Sequence, residues 1–385
     1  MEIEAISVMV FFTIIGFLVY LDKKNIEFNH GLIIRRTERG IKFITKIAKK
    51  YKKFLLYLGN FTVFFGVIAS VLGLGYLIYK TLQFETSAGI ILPTVGSYQY
   101  PGPVFSVPFW YWIIAIFIVV TAHEPMHALF ARLEKVKIKN MGIFLFFVLP
   151  LGAFADPDEK QMSKLSWMKK LRIYASGSFG NMIVAAIFII LLLCFNFFIS
   201  SIMSGKGVIF NSTIINTGAA EVGLSGIITE INGITVKSMS DFINAMKNVK
   251  PGDVIKIKTA EGIYNIKTTP NPEDSTKPFI GISGPRTFYV YTGLLSNLGV
   301  VSDESFYIIS WFSGLLGWIL IINFGVGLFN LFPIKPLDGG LMFEEILKHY
   351  YKRKNVEKVV NGVSLFILFL ILFNLFGPIL INWLK

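Results

Sequence analysis

One cysteine and four histidines are all that 385 residues offer of the side chains best suited to cross-links and soft metal sites. The lone Cys194 excludes a disulfide framework and a thiolate cluster. It lies within an apolar run and reads as a lipid- or core-facing side chain. Charge is also scarce, at 16% of residues, and lopsided, with 37 Lys and Arg against 24 Asp and Glu. A formal net charge of +13 could suggest nucleic acid. The basic residues instead gather in loops between apolar runs, as they do in proteins that orient themselves across a membrane, so no nucleic-acid partner is expected. Nor does a basic segment open the chain. Glu2 and Glu4 precede the apolar residues 6–21 and no small-residue cleavage pattern follows, so this stretch is expected to remain as a helix and not to be removed as a signal peptide.

What the chain has in abundance is hydrocarbon. It is 54% hydrophobic, holds 37 Phe and has a mean hydropathy of +0.62, too apolar for a soluble protein of this length. The expected architecture is an α-helical polytopic membrane protein, embedded in the lipid bilayer, with about six transmembrane helices at residues 6–21, 54–79, 109–133, 174–199, 306–332 and 363–383. Three basic connections alternate with them, from Lys23 to Lys53, from Arg132 to Arg172 and from Lys348 to Lys358, and the charge rule puts all three on the cytoplasmic side. Residues 80–108 carry little basic charge and are broken by Gly and Pro, which predicts an extended or re-entrant outer segment. Residues 143–155 hold Pro150 and Gly152 and are too short to span, so a membrane-dipping hairpin or loop is expected. Residues 207–284 change character, with alternating apolar and polar residues and hairpin turns at Asn232-Gly233 and Glu261-Gly262. Ser240 is expected to cap a short helix over 241–249. This small β-rich domain falls outside the membrane, opposite the basic loops.

Residues 118–133 place His-Glu-x-x-His inside an apolar helix. At i and i+4, His123 and His127 share one face and can hold one metal, with Glu124 beside them as a general base. Ionisable groups within a span are costly and usually functional. His123 lies roughly 20 Å along its helix, beyond the midplane toward the cytoplasm. A hydrolytic zinc keeps three protein ligands and a water. His30 and His349 fall in basic loops, where solvated side chains are expected. Asp338 follows an apolar span at a matching depth and is the preferred third ligand, over a reading of Asp338-Gly339-Gly340 as turn chemistry. In Ser176-Gly177-Ser178-Phe179-Gly180-Asn181 the glycines are expected to serve helix packing, whereas the Asn181 amide requires a partner.

Three motifs, in order, resemble the site-2 protease family: His123-Glu124-Pro125-Met126-His127, the element from Gly177 to Asn181, and Asn330 through Pro333 and Pro336 to Asp338-Gly339. The inserted β-domain, with Ala219-Ala220-Glu221-Val222-Gly223-Leu224 and Ile231-Asn232-Gly233, resembles a PDZ domain. The resemblance implies one Zn2+ per chain on His123, His127 and Asp338, with Glu124 activating its water. Asn330 and Asn181 match family asparagines; Asn330 is implied in holding substrate or stabilising the oxyanion. The implied function is a zinc-dependent intramembrane endopeptidase acting on transmembrane protein substrates, pre-cleaved or intact, with peptide C-termini as candidate ligands of the PDZ-like domain. It divides the chain into 1–106 (two helices, basic loop and outer segment), 107–203 (first part of the catalytic core), 204–286 (PDZ-like domain), 287–345 (second part of the core) and 346–385 (last helix). The location is the cell membrane, with the active site toward the cytoplasm and the PDZ-like domain outside. The competing expectations are a non-catalytic PDZ-bearing adaptor and an intramembrane metal transporter. Pro125 departs from the family pattern. It removes the bond to the Thr121 carbonyl, at about 3 kcal/mol, and predicts a kink in the turn that holds His123.

Overall fold

The computed structural model describes residues 2–29, 31–147, 149–272, 274–351 and 353–384. His30 and Lys352, both read above as members of basic loops, lie outside the described residues. Six helices are long and apolar enough to cross a membrane: Glu4–Leu21, Lys52–Leu82, Phe109–Leu133, Trp167–Ile202, Asp303–Asn330 and Asn355–Pro378. Long apolar helices satisfy every backbone group internally, which is what a hydrocarbon environment requires. The chain is a multi-pass membrane protein with an inserted β-rich domain.

The first part of the chain forms α1 (Glu2–Leu21), the amphipathic α2 (Ile41–Lys50), α3 (Lys52–Leu82), α4 (Phe109–Leu133), the short α5 (Glu159–Ser163) and α6 (Trp167–Ile202). The period of α2 turns Ile44 and Ala48 inward while Lys42, Lys46, Lys49 and Lys50 occupy its other faces. Ile44 packs with Leu55, Ala128, Phe130 and Ile173 in one core, which ties α2 and α3 to α4 and α6. In α6 the helix begins seven residues before the expected span. Its added first turns carry Lys169, Lys170 and Arg172, of which Arg172 meets the buried Glu134 at 2.6 Å and Lys170 meets Glu345 at 3.0 Å. Basic residues counted as loop are therefore helical and paired.

Of the two forms expected, hairpin or loop, residues 143–155 take the hairpin. They belong to two long strands, β5 (Ile138–Phe146) and β6 (Leu149–Pro157), in a four-stranded antiparallel sheet with β1 (Ile26–Asn29) and β2 (Leu32–Thr37), in the order β1-β2-β5-β6. The β1–β2 hairpin lies in a stretch that the charge rule assigns only as a basic connection. Apolar positions at alternate places seat it on the sheet, with Ile33 buried opposite Leu145. β6 ends the sheet, and among the described residues no further strand pairs with its outer edge. The Gly- and Pro-broken segment before α4 is extended, pairing β3 (Ile90–Thr94) with β4 (Val104–Pro108) in parallel.

Residues 193–313 form a separate compact unit. Its main sheet runs Ile263–Lys267, Val254–Thr259, Ile228–Ile231, Met203–Ile209, Arg286–Tyr291, and Ile228, Ile231, Ile255, Ile257 and Ile266 fill its core. The Asn232-Gly233 and Glu261-Gly262 hairpins pair as their turn residues predict. The short helix is Met239–Met246, capped by Ser238 and not by Ser240. Ser238 is the last extended residue and its hydroxyl accepts from the Asp241 N–H.

Candidate metal centre

Two imidazoles and one carboxylate converge where α4, α6 and helix Asp338–Tyr350 meet. His123 Nε2 and His127 Nε2 lie 3.1 Å apart, and each is 3.3 Å from Asp338 Oδ2. All three donor atoms fall within 4.8 Å of one another. The periodicity of α4 supplies the first two. Asp338 comes from the first turn of helix Asp338–Tyr350, which follows the apolar helix Asp303–Asn330 after a short Pro-rich connection.

The backbone around Asp338 explains its two glycines. They do not make a turn; they lie within the first turn of a helix pressed against the preceding chain. A Cβ on Gly339 would collide with the main chain of Leu331, and one on Gly340 with that of Ile334. Glu344 fastens the same helix to the Pro-rich connection through Lys335 at 2.7 Å. Burial would raise its carboxyl, but hydrogen bonds from Lys335 and Lys348 hold it below the ordinary glutamate range.

The hydrogen bonds behind the three groups test whether a metal fits. His127 Nδ1 lies 2.8 Å from the Ile173 carbonyl. A carbonyl can only accept, so Nδ1 carries the proton, and in the neutral ring Nε2 offers a lone pair to the cluster. His123 Nδ1 lies 3.1 Å from the Asn181 amide, whose Oδ1 is buried without a partner. Half a turn of that amide gives Nδ1–H an acceptor, satisfies the orphaned oxygen and leaves His123 Nε2 as a second lone pair. Ser178 donates to Asp338 Oδ2 at 3.2 Å. Two nitrogen lone pairs and a carboxylate oxygen facing one another repel unless a cation lies among them. Nitrogen and oxygen donors from two His and one Asp, with room for water, suit catalytic zinc.

Gly177 has a role more specific than helix packing. A Cβ there would strike His127 Nε2 and lie 2.7 Å from His123 Nε2, so this glycine leaves the space in which the two candidate ligand nitrogens meet. Asn181 is fully buried behind His123 and so supports a candidate ligand. Asn330 donates to the Val326 carbonyl within its own helix, and among the described residues no hydrogen bond joins it to the three donors. His349 is stacked on Trp167 at 4.4 Å, away from the cluster. Pro125 leaves α4 assigned as one unbroken helix from Phe109 to Leu133, and the convergence of His123 with His127 survives the bond it removes.

Glu124 stands beside the cluster, and one oxygen accepts from the backbone N–H of Ala155 at 2.9 Å. Ala155 lies on the edge strand β6, so the sheet aims a main-chain donor at the candidate base. A cavity of about 160 Å³ is lined by Glu124, His127, Asp338, Ala155 and Tyr174 among others. Glu124 also lines a largely apolar groove of about 600 Å³ between α1, α4 and the sheet, with Phe11, Trp110, Phe117, Ile143 and Phe154 in its walls. The Ala155 N–H has no signal in a residue pattern, because any residue but proline supplies it.

Comparison with known proteins agrees with this geometry. Residues 111–373 match the model of peptidase family M50. The chain is 29% identical over 362 residues to the "Uncharacterized protein MJ0971" of Methanocaldococcus jannaschii, covering 90% of this chain and 87% of that one. It is 25% identical over 334 residues to the "Putative zinc metalloprotease Cj1068" of Campylobacter jejuni, covering 68% and 89%. Among solved structures, a PDZ domain of an SdrC-like protein from Listeria monocytogenes shares 33% identity and covers 20% of this chain and 85% of its own, with a TM-score of 0.17. With the matched region extending from the His-Glu-x-x-His helix through Asp338 and into the last apolar helix, the chain belongs to peptidase family M50, the site-2 proteases.

Proposed function

We propose that this protein is a zinc-dependent intramembrane endopeptidase that hydrolyses peptide bonds within the transmembrane segments of other membrane proteins. The observation that carries the reading is the meeting of His123 Nε2, His127 Nε2 and Asp338 Oδ2 beside Glu124, in a chain with six helices long and apolar enough to cross a membrane. Bound to these three groups, one zinc ion would polarise the scissile carbonyl and supply a water acidic enough to attack near neutral pH. Glu124 takes the proton of the attacking water and returns it to the departing amine. The Ala155 N–H holds one oxygen of Glu124 and leaves the other to face the proton.

A helical substrate hides its carbonyls in its own hydrogen bonds, so it must unwind before cleavage, and segments with Gly, Pro or Asn are favoured. The apolar groove that ends at Glu124 suits such a segment, and the open edge of β6 offers it main-chain pairing. Asn330 serves as a substrate or oxyanion donor once its amide leaves Val326. The basic connections place the site toward the cytoplasm and the β-domain outside. That domain is read as PDZ-like, a candidate binder of peptide C-termini, and the substrates include membrane proteins already cut once. The test is Glu124→Gln in reconstituted membranes: cleavage of a spanning substrate is lost while zinc stays bound. Unchanged cleavage, or metal flux without any proteolysis in the wild type, overturns the reading.

A further inference from the structure

Away from the metal centre, the structure gathers positive charge that forms no ion pair among the described residues. A cavity of about 960 Å³ opens where α2, the end of α4 and the start of β5 come together. Five cationic side chains line it, Arg39, Lys42, Arg132, Lys137 and Lys139, against one acidic residue, Glu38. Among the described residues none of the five forms an ion pair, whereas Arg35, Arg36, Lys169, Lys170 and Arg172 all do. Charge orientation across a membrane asks only that a connection be basic. It does not ask that two stretches far apart in sequence, residues 39–42 and 132–139, line one hollow with their cations.

Arg132 is the most ordered of the five. Its Nε donates to Thr45 Oγ1 at 3.0 Å and its Nη1 to the Val136 carbonyl at 3.1 Å. These bonds hold the guanidinium plane at the cavity wall while its remaining N–H groups stay available. A guanidinium held by hydrogen bonds among further cationic groups is an arrangement that recognises a phosphate, with the fork giving direction and the lysines adding charge. Like charges converging in a hollow repel, and a bound phosphate anion offsets that repulsion.

We propose that this cavity is a binding site for a phosphate monoester or diester group, carried either by an anionic lipid headgroup or by a soluble phosphate compound. Occupancy ties α2 to Arg132 on the helix of His123 and His127, and to the strand that pairs with β6. The site is independent of peptidase activity, so its test needs no cleavage assay.

The full-length protein is purified with its zinc and studied in two arms. In one, detergent-solubilised protein is titrated with glycerol 3-phosphate and followed by calorimetry. In the other, its melting is compared in nanodiscs of phosphatidylcholine with and without phosphatidylglycerol. The variants are Lys42→Gln/Lys139→Gln in the cavity and Lys49→Gln/Lys50→Gln in the last turn of α2, outside the cavity lining, which remove equal charge. Saturable binding of glycerol 3-phosphate, weakened about tenfold or more by the cavity pair and unchanged by the other pair, supports the soluble source. Stabilisation only by phosphatidylglycerol, lost in the cavity pair alone, supports the lipid source. Equal loss in both pairs, or no saturable effect in either arm, overturns the proposal.

Discussion

Replacing Gly177 by alanine should empty the metal site while leaving the fold intact. The added Cβ would lie 2.7 Å from His123 Nε2 and closer still to His127 Nε2, and ordinary contact begins near 3.4 Å. His123 Nε2 must retreat by about 0.7 Å and His127 Nε2 by more. Both atoms are the far ends of side chains, so the helices need not move. The ligands must, however, and zinc coordination tolerates displacements of only about 0.2 Å. We expect zinc affinity to fall by on the order of 100-fold or more, at least the cost of losing a supporting partner behind a ligand. The metal-free protein should be no less stable, since alanine in a helix interior is favoured over glycine by up to about 1 kcal/mol. The assay is competition for zinc against a chelator of known affinity, run beside thermal melting in excess chelator. Gly325→Ala, in helix Asp303–Asn330 where a Cβ meets nothing within 4 Å, should leave affinity unchanged. Wild-type zinc affinity in Gly177→Ala would refute the assignment of the two Nε2 atoms as ligands.

Other substitutions separate the remaining roles. Asp338→Ala should abolish stoichiometric zinc by metal analysis, because no second carboxylate is grouped with the two imidazoles among the described residues. Asn181→Ala removes the partner of His123 Nδ1 and should weaken zinc by about 10- to 100-fold, read by the same competition; an unchanged value would mean that another group orients the ring. Ala155→Pro deletes the N–H that Glu124 accepts, at an edge-strand position whose donor faces away from the ladder, where proline is best tolerated. Cleavage by a membrane-reconstituted protein should drop while zinc content stays at one per chain. Pro125→Ala restores a helix donor opposite the Thr121 carbonyl and should raise the melting temperature, by a stabilisation of up to about 3 kcal/mol, with zinc binding retained. A lower melting temperature would show that the carbonyl already has a partner.

The spans and the two histidines were legible because each follows from a rule of local composition: apolar length for the helices, a four-residue step for the imidazoles. Asp338 was legible for a less obvious reason. In a membrane chain, counting residues along a helix also measures depth, so a carboxylate at the end of one span can be matched with histidines late in another. The four-stranded sheet was not legible as a sheet. Its central pairing joins Leu32 to Phe146 and Thr37 to Met141, across more than a hundred residues, and strand preference is set by such neighbours more than by the strand itself. The charge rule, which marks residues 23–53 and 132–172 as basic connections, is blind to their shape, and for that reason β1 and β2 read as loop.

That blindness bears directly on the chemistry. A motif records the residues whose side chains react, yet Glu124 is oriented by a backbone N–H on a strand that a residue pattern leaves free to vary, and Gly177 is required by atoms that belong to His123 and His127. The glycine could have been recognised from sequence only by asking what else occupies the face of α6 that meets α4. Small residues at such spacing are expected wherever helices pack closely in a membrane. Here the close approach brings Asn181 to His123, the Ile173 carbonyl to His127 and Ser178 to Asp338, all from one helix. One helix therefore supports all three candidate ligands from behind, and a rigid shift of α6 relative to α4 would disturb them together. The metal-binding geometry and the packing of these two helices are one property, which is why the cost of altering Gly177 is expected in zinc affinity and not in stability.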